Sequence, residues 1–208
     1  MVDLDKNLEP VGLPGGIAVS GAMMKLGTMV LLLALVAAPA CGGGGGSSTD
    51  PGGSPSPLSA TFVADQPTPT ANTAAMAEGP KSNDVVTVNV TLTGTNGVYA
   101  TAFEVAFDDT HTVYVGFTPG TAFEQGGVSP NYTVDGTTNP GRVVVGVART
   151  GAAATNVSGT QTVVGLQFRV KQAGVYPVTI QNSVVYDSHN PPQPISGISW
   201  FAGAVSGS

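Results

Sequence analysis

The sequence predicts an all-β fold, a sandwich of two sheets built from about nine short strands. Three observations carry that expectation. Val86, Val88, Val90 and Leu92 alternate with Thr87, Asn89 and Thr91, and Val164, Leu166, Phe168 and Val170 alternate with Gly165, Gln167 and Arg169. This is the period of a strand with one buried and one solvated face. Turn-forming residues recur at short intervals between such runs, and no amphipathic helical period of useful length follows residue 41.

Taken in order, Ser59 to Val63 predicts a first strand, set apart from Asp84 by a polar stretch rich in Ala, Thr and Pro. Asp84 to Leu92 is the clearest strand, and Thr93 to Gly97 predicts a turn. In Val98 to Phe107, the residues Phe103, Val105 and Phe107 share a face with Tyr99 and Thr101. Asp108, Asp109 and Thr110 then turn the chain into an inward set of Val113, Val115 and Phe117, ended by Pro119 and Gly120. Further strands are expected at Tyr132 to Val134, Arg142 to Ala148, Thr162 to Val170 and Val175 to Gln181. Val184 to Tyr186 and Ile198 to Val205 close the domain around the loop His189 to Pro194.

The part before this domain reads as delivery. An apolar run from Val30 to Val36 passes through Ala38, Pro39 and Ala40 to Cys41, the single cysteine, and then to five glycines. Leu26 to Ala40 is shorter than the ~20 residues a spanning helix needs, so the run predicts a removable export signal. Its arrangement resembles a bacterial lipoprotein signal peptide, which implies a diacylglycerol on the thiol of Cys41 and a place in the cell envelope, at the outer membrane or cell surface. Asp3, Asp5 and Glu9 put negative charge where such a signal carries positive charge, whereas Met23, Met24 and Lys25 fit its start. The expected organisation is therefore a mis-assigned extension (1–22), a signal peptide (23–40), a flexible Gly/Ser/Pro linker (41–57) and one sandwich domain (58–208). A lone cysteine excludes an internal disulfide.

Charge narrows the partners. From Cys41 onward there are five Lys or Arg against ten Asp or Glu, with no basic cluster. That balance argues against nucleic acid, and it leaves the lipid as the expected contact with a membrane. The sequence holds no Gly-x-Ser-x-Gly, no His-Glu-x-x-His and no phosphate-binding loop, so no enzyme is expected. No cofactor is expected either.

The run VVTVNVTLTGTNGVYATAFEVAFDDTHTVYVGFTPGTAF (Val85 to Phe123), then TVVGLQFRVKQAGVYPVTI (Thr162 to Ile180) and VVYD (Val184 to Asp187), resembles cohesin domains. The marks are the Gly97-Val98-Tyr99 turn, the strand ending at Phe107-Asp108, the Pro119-Gly120 turn, and Leu166-x-Phe168 ahead of Ala173-Gly174. The chain departs from the family pattern at Asp109, where proline is usual, and at Val113, where a longer aliphatic is usual. The resemblance implies a jelly-roll sandwich that acts as a non-catalytic binding module. Its partner would be a dockerin-like protein module, and related modules of the superfamily bind polysaccharide directly. The alternative is a structural or adhesive envelope lipoprotein without either ligand.

For a sugar, exposed aromatics are the expected platform, because sugar C–H faces stack on π-systems. Tyr114, Tyr132 and Trp200 are the candidates, with Tyr114 expected to point outward. For a protein partner, Asn89, Thr91, Glu104 and Tyr114 form a candidate outward set. For calcium, Asp108 and Asp109 with Asp135 or Asp187 could supply hard oxygens, although paired aspartates at a hairpin are also turn formers. His111 and His189 lie in separate turns without the ligand spacing of a zinc site.

Overall fold

The computed structural model describes residues 57–208 apart from residue 152. The extension, the signal, Cys41 and all of the linker but Pro57 lie outside the described residues. No helix among the described residues is long and apolar enough to cross a membrane.

Eleven strands form two sheets facing each other. They are β1 (Ala60–Ala64), β2 (Thr73–Ser82), β3 (Val85–Val98), β4 (Ala100–Phe107), β5 (Thr112–Pro119), β6 (Asn131–Asp135), β7 (Arg142–Ala148), β8 (Thr155–Val170), β9 (Gly174–Tyr186), β10 (Ser199–Phe201) and β11 (Gly203–Gly207). One sheet has six strands in the order β1-β11-β9-β4-β7-β6, and the other has five in the order β10-β2-β3-β8-β5. All pairings are antiparallel except the short parallel contact of β10 with β2. This is the expected all-β sandwich, with β2 added and with the segments expected at Val175 to Gln181 and Val184 to Tyr186 joined into the single strand β9.

The core lies between the sheets. The β3 residues Val86, Val88, Val90 and Leu92 meet Val164, Leu166, Phe168 and Val170 of β8, and all eight are at most 1% exposed. Phe103, Val105, Val143 and Val145 face them from the six-stranded sheet. Each such side chain contributes about 1.5–3 kcal/mol on burial, which makes β3, β8, β4 and β7 the framework on which the edges hang.

Three local expectations are corrected. The polar stretch before Asp84 contains β2, which the sequence does not reveal because its inward residues, Ala74 and Met76, are small or flexible and the alternate Thr73 and Ala75 are buried too, all four at most 2% exposed. The predicted turn at Thr93 to Gly97 is instead the continuation of β3, which bulges there and uses positive φ at Gly94 (55°) and Gly97 (70°). Glycine takes that geometry without steric cost, and so keeps the strand paired while it bends.

The third correction is the phase of β5. Thr112 is fully buried, because its amide and hydroxyl both donate to the Asp108 carbonyl, at 2.9 and 2.7 Å. Tyr114 then lies opposite Phe168 and points into the sandwich, while Val113 lies opposite outward Arg169. A bulge between Tyr114 and Gly116 leaves Val115 38% exposed and returns Phe117 to the inner side, where at the sheet edge it too is 38% exposed. The expected inward trio of Val113, Val115 and Phe117 is therefore not a buried set.

The final predicted strand also divides. Ile198 to Val205 becomes β10 in one sheet and β11 in the other, with Ala202 at the crossing. At the start and end of the domain, Ser59 and Ser208 exchange backbone hydrogen bonds of 2.8 and 3.0 Å.

Candidate binding surfaces

The outer face of the six-stranded sheet is assembled by register. Ala100, Ala102, Glu104 and Ala106 of β4 lie beside Ala148, Gly146, Val144 and Arg142 of β7. Asn131, Thr133 and Asp135 of β6 extend the rows on one side, and Tyr186, Val184, Gln181 and Thr179 of β9 extend them on the other. The centre is flat, because alanine and glycine rise little above the pleat, and a Cβ on Gly146 would meet nothing closer than 3.8 Å. Its charge is confined to one ion pair, Arg142 with Glu104, beside an exposed Val144. A low-charge centre with a polar periphery is the general make-up of a protein-binding surface.

The outward set expected from sequence does not share one face. Asn89 and Thr91 lie on the outer side of the five-stranded sheet, where the Thr91 hydroxyl donates to the Ala75 carbonyl at 2.9 Å. Glu104 is on the opposite side of the molecule, and Tyr114 points inward at the edge. Strand alternation gives the phase within one strand but does not say which sheet that strand joins.

The three aromatics expected as a sugar platform are also separated. Trp200, on β10, packs on buried Phe103 with ring centroids 5.6 Å apart. Tyr114, at the other edge of that sheet, meets Phe168 edge-on at 6.2 Å. Burial, and to a lesser extent the nearby Asp135 carboxylate, raises its phenol pKa. Tyr132, on β6, lies 6.2 Å from Phe117, and its hydroxyl donates to the Gly120 carbonyl at 2.8 Å. All three serve the core, and they do not present coplanar rings on one surface.

The aspartates expected as calcium candidates close separate turns. Asp108 accepts from the Thr110 hydroxyl (2.5 Å), the Thr110 amide (2.9 Å) and, on its other oxygen, pairs with His111 Nδ1 (2.6 Å). The Thr110 hydroxyl first, then His111, hold its pKa down to about 2. Asp135 is likewise brought to about 2, by Thr138 first and then by Thr137. Asp187 is lowered chiefly by the Gln193 amide, which donates at 2.9 Å. The carboxylates of Asp108, Asp135 and Asp187 are thus each spent on their own loop, which leaves only Asp109 of the four without such a partner. Among the described residues no group of three or more His, Cys, Asp or Glu side chains is arranged to hold a metal. His111 instead stacks on Tyr176, 4.8 Å away and 10° from parallel.

Two features carry no sequence signal. Arg149, only 5% exposed, donates to the carbonyls of Ala153 (2.9 Å), Phe123 (2.7 Å) and Gln125 (2.8 Å). It thereby fastens the loop between β5 and β6 to the end of β7. The second is a cleft of about 190 Å³ where the sheets part at β5 and β6, lined by Phe107, Asp109, Thr112, Tyr114, Gly136 and Gly141 among others. Gly136 lies so close to the Tyr114 ring that an added Cβ would come within 2.3 Å of it.

Among solved structures, the type II cohesin dyad from an adaptor scaffoldin of Acetivibrio cellulolyticus aligns with a TM-score of 0.50 and 16% identity, over 70% of this chain and 47% of that one. The sixth cohesin of scaffoldin B from the same organism, crystallised in complex with a dockerin, gives 0.47 and 19% over 70% and 96%. A non-cellulosomal cohesin from the archaeon Archaeoglobus fulgidus gives 0.44 and 15% over 69% and 88%. No curated protein matches the sequence. The family model of the cohesin domain matches residues 72–194, more than half of the chain and the whole run from β2 to the loop before β10, and on that match the chain belongs to the cohesin domain family.

Proposed function

We propose that this chain is a non-catalytic recognition module that holds a dockerin-type protein module on the outer face of its six-stranded sheet. Family membership supports the partner class, and the flat, low-charge centre around Ala102, Gly146 and Val144 supports the face. Recognition on such a surface proceeds by shape and desolvation, with the Glu104–Arg142 pair setting orientation. The module is proposed to work outside the cytoplasm, tethered through a lipid on Cys41 and given reach by the glycine-rich segment after it. Loss of palmitate labelling in Cys41→Ala is the expected result for that anchor, and unchanged labelling would remove it.

The partner is tested by titration calorimetry of the full chain against calcium-loaded dockerins from the same organism. One of them is expected to bind, Gly146→Arg is expected to weaken it at least about 100-fold, a few kcal/mol by the tenfold-per-1.4 rule, and Thr118→Arg on the opposite sheet should leave it unchanged. If no dockerin binds, the partner class is wrong; if both variants behave alike, the face is wrong.

A further inference from the structure

We propose that the cleft at the β5–β6 edge takes one basic side chain, lysine or arginine, presented by an extended protein segment lying along that edge. This goes beyond the flat face, and it rests on the protein-recognition reading only for who presents the side chain.

The cleft's size sets the first limit. At about 190 Å³ it holds roughly six waters' worth of space at ~30 Å³ each. Sites that enclose a whole small molecule span roughly 300–1,000 Å³. One long side chain fits here, and a sugar chain or a folded element does not.

Its lining sets the chemistry. Phe107 and Tyr114 form an aromatic floor braced from behind by Phe168, 5.2 and 6.2 Å away. Aromatic faces attract a cation while also accepting the apolar stem of a lysine or arginine. At the rim stands Asp109, whose carboxylate has no hydrogen-bond or ion-pair partner among the described residues. Only its backbone carbonyl is engaged, by Lys171 Nζ at 2.6 Å. Asp135 is near enough to act on the Tyr114 hydroxyl and remains ionised down to about pH 2. An aromatic floor with a carboxylate at its rim that makes no direct hydrogen bond or ion pair is complementary to a basic side chain and poorly matched to a purely aliphatic or an acidic one.

The neighbouring backbone explains the delivery. β5 and β6 are the outermost strands of their sheets, so each presents unpaired peptide groups along which an extended segment can run. Val115 and Phe117, each 38% exposed, continue the apolar surface along that edge.

The test uses the full chain, labelled with ¹⁵N and titrated with Nα-acetyl-arginine methylamide, its lysine and norleucine counterparts, and methyl β-glucoside. The arginine and lysine probes are expected to move the Gly136 and Gly141 amide signals saturably, with norleucine at least tenfold weaker. Asp109→Asn should weaken the basic probes at least tenfold, and Asp65→Asn, an exposed acid elsewhere, should not. Equal binding of norleucine, preference for the glucoside, indifference to Asp109→Asn, or no movement at Gly136 and Gly141 would each overturn the proposal. None of these readouts involves a dockerin, so they fail independently of the partner proposed above.

Discussion

Along the β1 side the gap between the sheets is bridged repeatedly, whereas along the β5–β6 side it is left largely open. At the first edge, the last strand serves both sheets by crossing at Ala202, whose carbonyl accepts from the Asp65 amide at 3.0 Å. The Phe62 amide on β1 donates to the Glu78 carboxylate of β2 at 2.8 Å, and Lys81 holds that carboxylate at 2.9 Å. Trp200 covers Phe103 behind them. At the second edge no backbone hydrogen bond joins β5 to β6 among the described residues, and Tyr132 reaching Gly120 is the direct tie. An edge whose peptide groups and apolar rims stay uncovered is an aggregation hazard that proteins ordinarily blunt.

The contrast is sharpest in paired phenylalanines. Phe103→Ala, on β4 beneath Trp200 of the covered edge, removes a side chain 2% exposed, and an unfolding free energy lower by about 3–5 kcal/mol is expected in urea denaturation. Phe117→Ala, at the open edge and 38% exposed, should cost less than about 1 kcal/mol. Equal losses would mean that the open edge is as much a part of the core as the closed one.

Arg149→Met comes next. It leaves three carbonyls without their donor but also relieves the burial of a charge, so a loss of about 2–4 kcal/mol is expected. Amide exchange should accelerate first in residues 121–130, the loop that Arg149 fastens between the two open strands. Uniform acceleration across β3 and β8 instead would show that the arginine supports the whole sandwich and not that edge.

Glu78→Gln at the covered edge should cost about 1 kcal/mol at neutral pH, discounted because the side chain is 34% exposed. The Phe62 amide, then Lys81, lower the Glu78 pKa below its ordinary 4.5. A carboxyl depressed in the folded state stabilises above its unfolded pKa, and that contribution is lost as pH falls through the folded value. The gap between wild type and variant should therefore be full at pH 7 and closed in strong acid. A gap that persists there would assign the stabilisation to side-chain shape and not to charge.

How much of this was legible in the sequence follows from how each strand is buried. β3, β4, β7 and β8 bury branched and aromatic residues on one face, so their alternation is visible. β2 buries Thr73, Ala74, Ala75 and Met76, a pattern that composition reads as linker. The phase of β5 was unreadable because a threonine took an inward position by bonding back to Asp108, and a bulge then shifted what followed. Of the site candidates, Trp200 is half-buried and packs on the core through Phe103, and Tyr114 lines the cleft from the side opposite to the one expected. Arg149 and the free carboxylate of Asp109 depend on loops that meet only in three dimensions.

The mutual hydrogen bonds of Ser59 and Ser208 make β1 and β11 begin and end at the same corner. A pull between those two ends would peel the β1–β11 ladder one rung at a time, the weak direction for any sheet. A pull between the β1 end and a partner seated on the six-stranded face is different, because it loads many rungs at once across β11, β9 and β4. On the binding face proposed above, the domain would thus bear force through a partner better than along its own chain.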